Sequence, residues 1–441
     1  MQRRSAVIMS VVCAFILSVI GVALIYSASR RIYGTELALK QLAWLAIGLI
    51  LCWLTSKISK RTLLGISWLF YGGALALLIV TLIVGVTVRG DTSWLSLGIF
   101  RVQPSEIMKI CLVIILTSSA VRRVDRAISF GGLLFEQFVL VLIPVGLILV
   151  QPDAGTALVY LCFLLGWLCV LGLWRESIAL ICVGSVFLAG LFINILQPAF
   201  IHPSVYSLLK WLSGPGQSWF VWLYAIGWIL LAILPYIRSS RISSVSIAML
   251  SILSAVPGYS FSNYLAGYQK QRIMVFLDPY QAPLKSGYNI IQVQIAIGSG
   301  GWWGKGYLNG SQSQLGFIPE LWTDFILSVA AEELGIVFVV MLFILFLLFV
   351  YGLCSAAVMS ADWEGYYLCS GVTLIVCIHI LLNASMCVGM IPVIGLPLPF
   401  ISYGGSFLVT NWIMLGVVLT ASRRRQGEAL LQGTPGQSRR V

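Results

Sequence analysis

Glu106, Asp153, Asp324, Glu332 and Glu333 stand at or inside the starts of apolar runs. There a charge costs roughly 2.5–3.5 kcal/mol on insertion scales and needs either a partner or a task. Gln103-Pro104-Ser105-Glu106-Ile107-Met108-Lys109 opens one such run, with proline in the tolerated first turn and Glu106 near the positive end of the helix dipole. Glu106 and Lys109 are three apart and share a helical face. They read either as a neutralising ion pair at a helix start or as a pair facing a cavity, with Lys109 available to a phosphate. In Gln151-Pro152-Asp153-Ala154-Gly155-Thr156, Asp153 either caps the next helix or contributes to a binding site.

Pro319-Glu320-Leu321-Trp322-Thr323-Asp324-Phe325 leads into a further helix, in which the i, i+4, i+8 spacing predicts Asp324, Ser328 and Glu332 on one face. Either Thr323 or Asp324 is an N-cap, or Asp324 is a carboxylate held at the membrane surface, able to act as a general base. Lys270, Arg272, Lys285 and Lys305 concentrate charge in the preceding loop. They are either solvated or hold an anionic headgroup. The glycine run 298–306 is not a phosphate-binding P-loop, because Ser299 stands where its first glycine belongs and Gly306 where Ser or Thr should hold magnesium. With Trp302 and Trp303 it reads as an interfacial turn against the bilayer. Segment 389–405 contains Gly389, Pro392, Gly395, Pro397, Pro399, Gly404 and Gly405. It cannot be a plain spanning helix and must line a cavity or be buried in protein, where Ser402 and Tyr403 could supply hydroxyls.

The elements that must position these groups follow from composition. The 441 residues are 59% hydrophobic and 10% charged, against roughly 45–50% and about 25% in soluble domains. That excludes an ordinary soluble protein. Apolar windows at roughly 6–27, 38–55, 63–86, 104–121, 131–150, 155–173, 177–196, 217–237, 243–258, 325–353, 364–388 and 406–422 predict an all-α chain of about twelve transmembrane helices. The net charge of +12 fits cytoplasmic loops rich in Lys and Arg, so nucleic acid is not implied. Both termini are then cytoplasmic, and 87–104, 151–154 and the long loop 259–324 lie outside. The run after MQRR reaches Tyr26 without a small-residue cleavage site and predicts a retained first helix. The ten cysteines form no CxxC pair, and with only His202 and His379 no zinc motif arises. One multipass domain is expected over 1–422, followed by a short basic cytoplasmic tail, 423–441.

QPSEIMK at 103–109, QPDAGT at 151–156, YQKQRIMVFLDP at 268–279, SGYNIIQVQIAIGSGGWWGKG at 286–306, SQSQLGFIPELWTDFILSVAAEELG at 311–335 and PLPFISYGGS at 397–406 together resemble the SEDS family of shape, elongation, division and sporulation proteins. The SQSQ–FIPE run is nearer the rod-shape members than the division members. The resemblance implies a peptidoglycan glycosyltransferase that polymerises lipid II on the outer face of the cytoplasmic (inner) membrane, beside a class B penicillin-binding transpeptidase. It places the family's essential aspartate on Asp324, its Glu and Lys on Glu106 and Lys109, and its QPD aspartate on Asp153. A leaving pyrophosphate needs cations, for which Arg101, Lys109, Arg272 and Lys305 are available. Ser402 joins the expected binding set. A divalent cation, Mg2+ or Mn2+, is compatible with these carboxylates but demanded by no motif. The sequence departs from the family by an insertion at about 197–260, which raises a ten-helix core to twelve, and by Trp322 in place of a commonly polar residue. A lipid II flippase and a non-catalytic scaffold for the transpeptidase are the alternatives.

Overall fold

The computed structural model describes residues 2–88, 91–98, 100–126, 130–173, scattered positions within 177–188, residues 270, 274–276 and 279–281, and residues 287–422. The expected spans 217–237 and 243–258, most of 177–196, Arg272, Lys285 and the 423–441 tail lie outside the described residues. Within the described residues the chain is mostly helical, and seven helices are long and apolar enough to cross a membrane. They are α1 (Gln2–Tyr33), α2 (Glu36–Lys57), α4 (Ser67–Val84), α5 (Pro104–Arg126), α6 (Phe130–Val150), α10 (Ile326–Val358) and α11 (Trp363–Cys387), while α3 (Lys60–Gly65) is a short connector. Two shorter apolar helices, α7 (Ala154–Val170) and α12 (Gly405–Ala421), complete the bundle. Large apolar side chains stand open on the outer faces, Ile83 and Val358 at 78%. That pattern fails in water and suits lipid, which has no quarrel with exposed hydrocarbon.

The helices pack by pairs distant in sequence: α2 against α12, α1 against α10, and α11 against α5, α7 and α12. α5 is the central element, its window largely buried inside the protein. Small and polar residues let backbones approach. Gly155, at the start of α7, lies so close to the Ile394 carbonyl that a Cβ there would stand 2.3 Å from its oxygen, so the irregular 389–404 segment seats directly on this helix start.

One expectation needs correction. The segment after α4, expected as an outer loop of an all-α chain, forms an antiparallel sheet of β1 (Val86–Val88), β2 (Asp91–Leu97) and β3 (Phe100–Val102). Its pairs Val86↔Trp94, Leu95↔Val102 and Ser96↔Arg101 set the register. β1 and β3 have three residues each, and the seven of β2 do not alternate polar and apolar along their length, so no strand period registers. The long 259–324 loop also contains structure, with α8 (Tyr288–Gly300) packed along α10 and the short α9 (Ser311–Leu315) beside α1.

α10 is interrupted at Gly335 (φ 81°, ψ 176°), a conformation that only glycine adopts without strain. Uninterrupted, the helix would bond Ile336 N–H to the Glu332 carbonyl and Val337 N–H to the Glu333 carbonyl. Instead Ile336 and Val337 donate to the carbonyls of Gly301 and Trp302 (3.0 and 3.2 Å), while Glu332 and Glu333 carbonyls accept from Lys305 and Gly306 N–H (3.0 and 2.9 Å). The glycine run thus fills the gap with four replacement bonds, the condition for broken backbone at membrane depth. Trp302 and Trp303 remain 72% and 80% exposed on its outer side. Because a Cβ on Gly335 would come 2.4 Å from the Gly304 nitrogen and the Trp302 oxygen, Gly335→Ala should destabilise the protein by at least about 1–3 kcal/mol. A lowered melting temperature in detergent is the readout, and an unchanged one would show that the plug is dispensable.

Candidate active site

Three polar clusters collect the acids singled out in the sequence. In the first, Lys305 Nζ (2.9 Å), Ser311 Oγ (3.1 Å) and the Gln312 and Ser313 N–H groups (2.8 and 2.9 Å) all donate to Glu332. Glu333, fully buried, accepts from Ser27 Oγ on α1 (2.6 Å), Leu308 N–H, Ser313 Oγ and Gln314 Nε2. The SQSQ run is spent on these two carboxylates. Lys305, expected to bind substrate, is engaged in this staple, and its charge is met by Glu332. Glu332 does not share a face with Asp324 as the spacing predicted, because Asp324 precedes the helix in a turn and α10 begins only at Ile326.

In the second cluster Asp153 is the N-cap of α7, accepting from Thr156 N–H (2.9 Å) and Thr156 Oγ (2.8 Å), and it also accepts from Gln103 Nε2 (2.9 Å). The QPSE and QPDAGT motifs are therefore tied to each other, and Tyr160 OH donates to the Ser105 carbonyl across the same junction (2.6 Å). One turn deeper, Lys109 Nζ lies 2.8 Å from Glu106 Oε1 and 2.8 Å from His379 Nε2 on α11, over the Phe407 ring at 5.4 Å. An ammonium only donates, so this His379 nitrogen is the acceptor of a neutral ring. Glu106 and Lys109 are 3% and 2% exposed, and Glu106 Oε2 has no hydrogen-bond partner among the described residues. Lys109 also borders a narrow apolar crevice lined by Leu112, Val159, Tyr160, Phe163 and Ile375. Such a charge pair inside protein is held by mutual attraction, and losing either member leaves the other uncompensated.

The third cluster surrounds Asp324. The turn before α10 carries it, with Asp324 N–H donating to the Glu320 carbonyl (3.1 Å). Neither Thr323 nor Asp324 caps α10; Phe325 holds that position without a side-chain bond. Asn383 Nδ2, on the last turn of α11, donates to the carbonyls of Asp324 (2.9 Å) and Leu396 (2.7 Å). Tyr403 N–H donates to the Trp322 carbonyl (2.9 Å), so the breaker segment is fastened to the turn at two points. Asp324 itself is half-buried, with Gly395 beside its carboxylate. Ser402, expected to offer a hydroxyl to substrate, is 1% exposed, and its Oγ accepts from Leu398 N–H (2.8 Å) inside the segment. Arg101 stands exposed on β3.

His379 and Asn383 were not singled out in the sequence as site residues. The available signal was their spacing, two polar side chains one turn apart in an apolar span, where polar groups are functional by default. Among the described residues no three His, Cys, Asp or Glu side chains come together to hold a metal ion.

A family model described as cell cycle protein, FtsW/RodA/SpoVE, matches residues 7–217 and 205–427. The chain is 33% identical over 427 residues to the peptidoglycan glycosyltransferase RodA of Treponema pallidum, covering 93% of this chain and 95% of that one. It is 32% identical over 404 residues to the peptidoglycan glycosyltransferase MrdB of Escherichia coli K12, covering 91% and 89%. Among solved structures it resembles a chain from a study of how a peptidoglycan synthase complex coordinates polymerization and crosslinking, with a TM-score of 0.64 and 27% identity over 94% of this chain and 96% of that one.

Proposed function

The chain belongs to the FtsW/RodA/SpoVE family of cell cycle proteins, and from that premise we propose that it is a peptidoglycan glycosyltransferase that polymerises lipid II. It works at the outer face of the cytoplasmic membrane as a multi-pass protein with both termini in the cytoplasm. Its partner is a class B penicillin-binding transpeptidase. The observation that carries the reading is the setting of Asp324: a half-buried carboxylate at the meeting of a turn, an irregular segment and the end of α11. Asp324 takes the proton of the acceptor sugar hydroxyl as that oxygen bonds to the anomeric carbon of the donor. The bond to the pyrophosphate oxygen breaks, and undecaprenyl pyrophosphate leaves with the electron pair. A phosphate leaving group needs no proton, so a single acid suffices where a glycosidase requires two. Developing negative charge needs a cation instead. Arg101, exposed on β3, is open to that role, while Lys109 lies buried between Glu106 and His379.

The test is to purify the unmodified chain with its transpeptidase and supply lipid II. Glycan strands are expected without any other polymerase. In liposomes, lipid II that crosses the bilayer while no strands form would replace the reading with a flippase.

A further inference from the structure

We propose that Asn383 is a positioning residue for strand synthesis, holding Asp324 at the working distance from the irregular segment; this rests on the reading of Asp324 as the base. An amide nitrogen carries two hydrogens, and Asn383 uses both. One goes to the Asp324 carbonyl at 2.9 Å, the other to the Leu396 carbonyl at 2.7 Å. These carbonyls belong to segments about seventy residues apart in sequence, and one side chain with no exposed surface spans both.

Gly395, next to Leu396, is so near that a side-chain carbon there would stand 3.4 Å from Asp324 Oδ2. The Asn383 amide therefore sets the spacing between the Asp324 turn and 395–396, the slot beside which the carboxylate sits. Asn383 is itself held: its Oδ1 faces Cys387 Sγ at 3.9 Å one turn on, and it lies on the face of α11 that carries His379 one turn back. The Tyr403 N–H to Trp322 carbonyl bond fastens the other end of the segment. That bond is main chain to main chain and stays in place when Asn383 is changed, so what is lost is the local spacing at Asp324.

Loss of position rather than of binding predicts a change in turnover. Full-length Asn383→Asp keeps the size of the side chain but presents oxygens to both carbonyls. In steady-state polymerisation of lipid II it should lower kcat by about 10- to 100-fold and leave KM for lipid II within about twofold. A purely packing role would not yield that split. Combined with Asp324→Ala, it should cause no further loss, since there is no carboxylate left to position. Parental kcat in Asn383→Asp, or a loss that multiplies with that of Asp324→Ala, overturns the inference. Should Asn383→Asp fail to accumulate as folded protein, Gly395→Ala disturbs the same slot from its 395–396 side. A fall in kcat with KM retained supports the proposal there, and an unchanged kcat overturns it. Parental activity in Asp324→Ala removes the reading beneath the proposal. An inactive Asp324→Ala beside a fully active Asn383→Asp removes the proposal alone.

Discussion

Asp324→Ala should reduce glycan-strand formation from lipid II by about 10²–10⁴-fold, the range expected when a general base is removed. The turn itself should survive the change. The bonds from Asp324 N–H to the Glu320 carbonyl and from Asn383 to the Asp324 carbonyl involve the main chain of residue 324 and not its carboxylate. Loss of activity without loss of fold is thus the expected pattern, read as an unaltered melting temperature beside a collapsed turnover. Asp324→Asn sharpens the interpretation by keeping the shape and removing the basicity. If both variants fall together, the carboxylate acts on a proton; if Asn383 is intact and Asp324→Asn works at near the parental rate, Asp324 orients the acceptor without taking its proton. Comparing kcat with kcat/KM separates a transition-state contribution from simple binding, because losing a group that acts only in the transition state lowers both equally.

Lys109→Met should destabilise the protein by about 3–5 kcal/mol, because it strands the buried Glu106 carboxylate without its cation. Glu106 already has one oxygen without a hydrogen-bond partner among the described residues, and the Lys109 ammonium at 2.8 Å is its compensation. His379 Nε2 loses its donor in the same step. The double variant Glu106→Leu with Lys109→Met removes both charges and should recover most of that stability, since replacing a whole buried pair by apolar side chains of similar size is often neutral. Thermal unfolding of the two proteins in detergent makes the comparison. Polymerisation by the double variant then separates two roles that the single variant confounds. A stable but inactive protein assigns the charge pair to the reaction, whereas a stable and active one makes the pair a purely structural bolt between α5 and α11.

How much of this was legible in advance differs from residue to residue. The pairing of Glu106 with Lys109 and the capping by Asp153 were both available from spacing, because each lies within one turn and a helix brings i and i+3 together whatever surrounds it. The placement of Asp324 failed for a related reason. The i, i+4, i+8 pattern presumed that the helix had already begun, but its start falls two residues later, and helix boundaries depend on caps and tertiary contacts that periodicity does not carry. Lys305 illustrates a second limit. As a cation in a loop it was open to any anion, and only the fold brings Glu332, 27 positions away, to within 2.9 Å.

The sequence by itself determined that this chain lives in lipid, where the long helices of the described residues run and which handful of charges could be chemical, because hydrophobic period and charge scarcity are local properties that any fold must respect. Tertiary structure alone decided how those charges are divided. It spent Glu332 and Glu333 on the SQSQ turn and gave Lys109 a histidine 270 residues away. It also filled the break at Gly335 with a glycine run and left Asp324 beside a slot set by Asn383. Such pairings join segments far apart in the chain, and no local pattern encodes which distant backbone will come within hydrogen-bond reach.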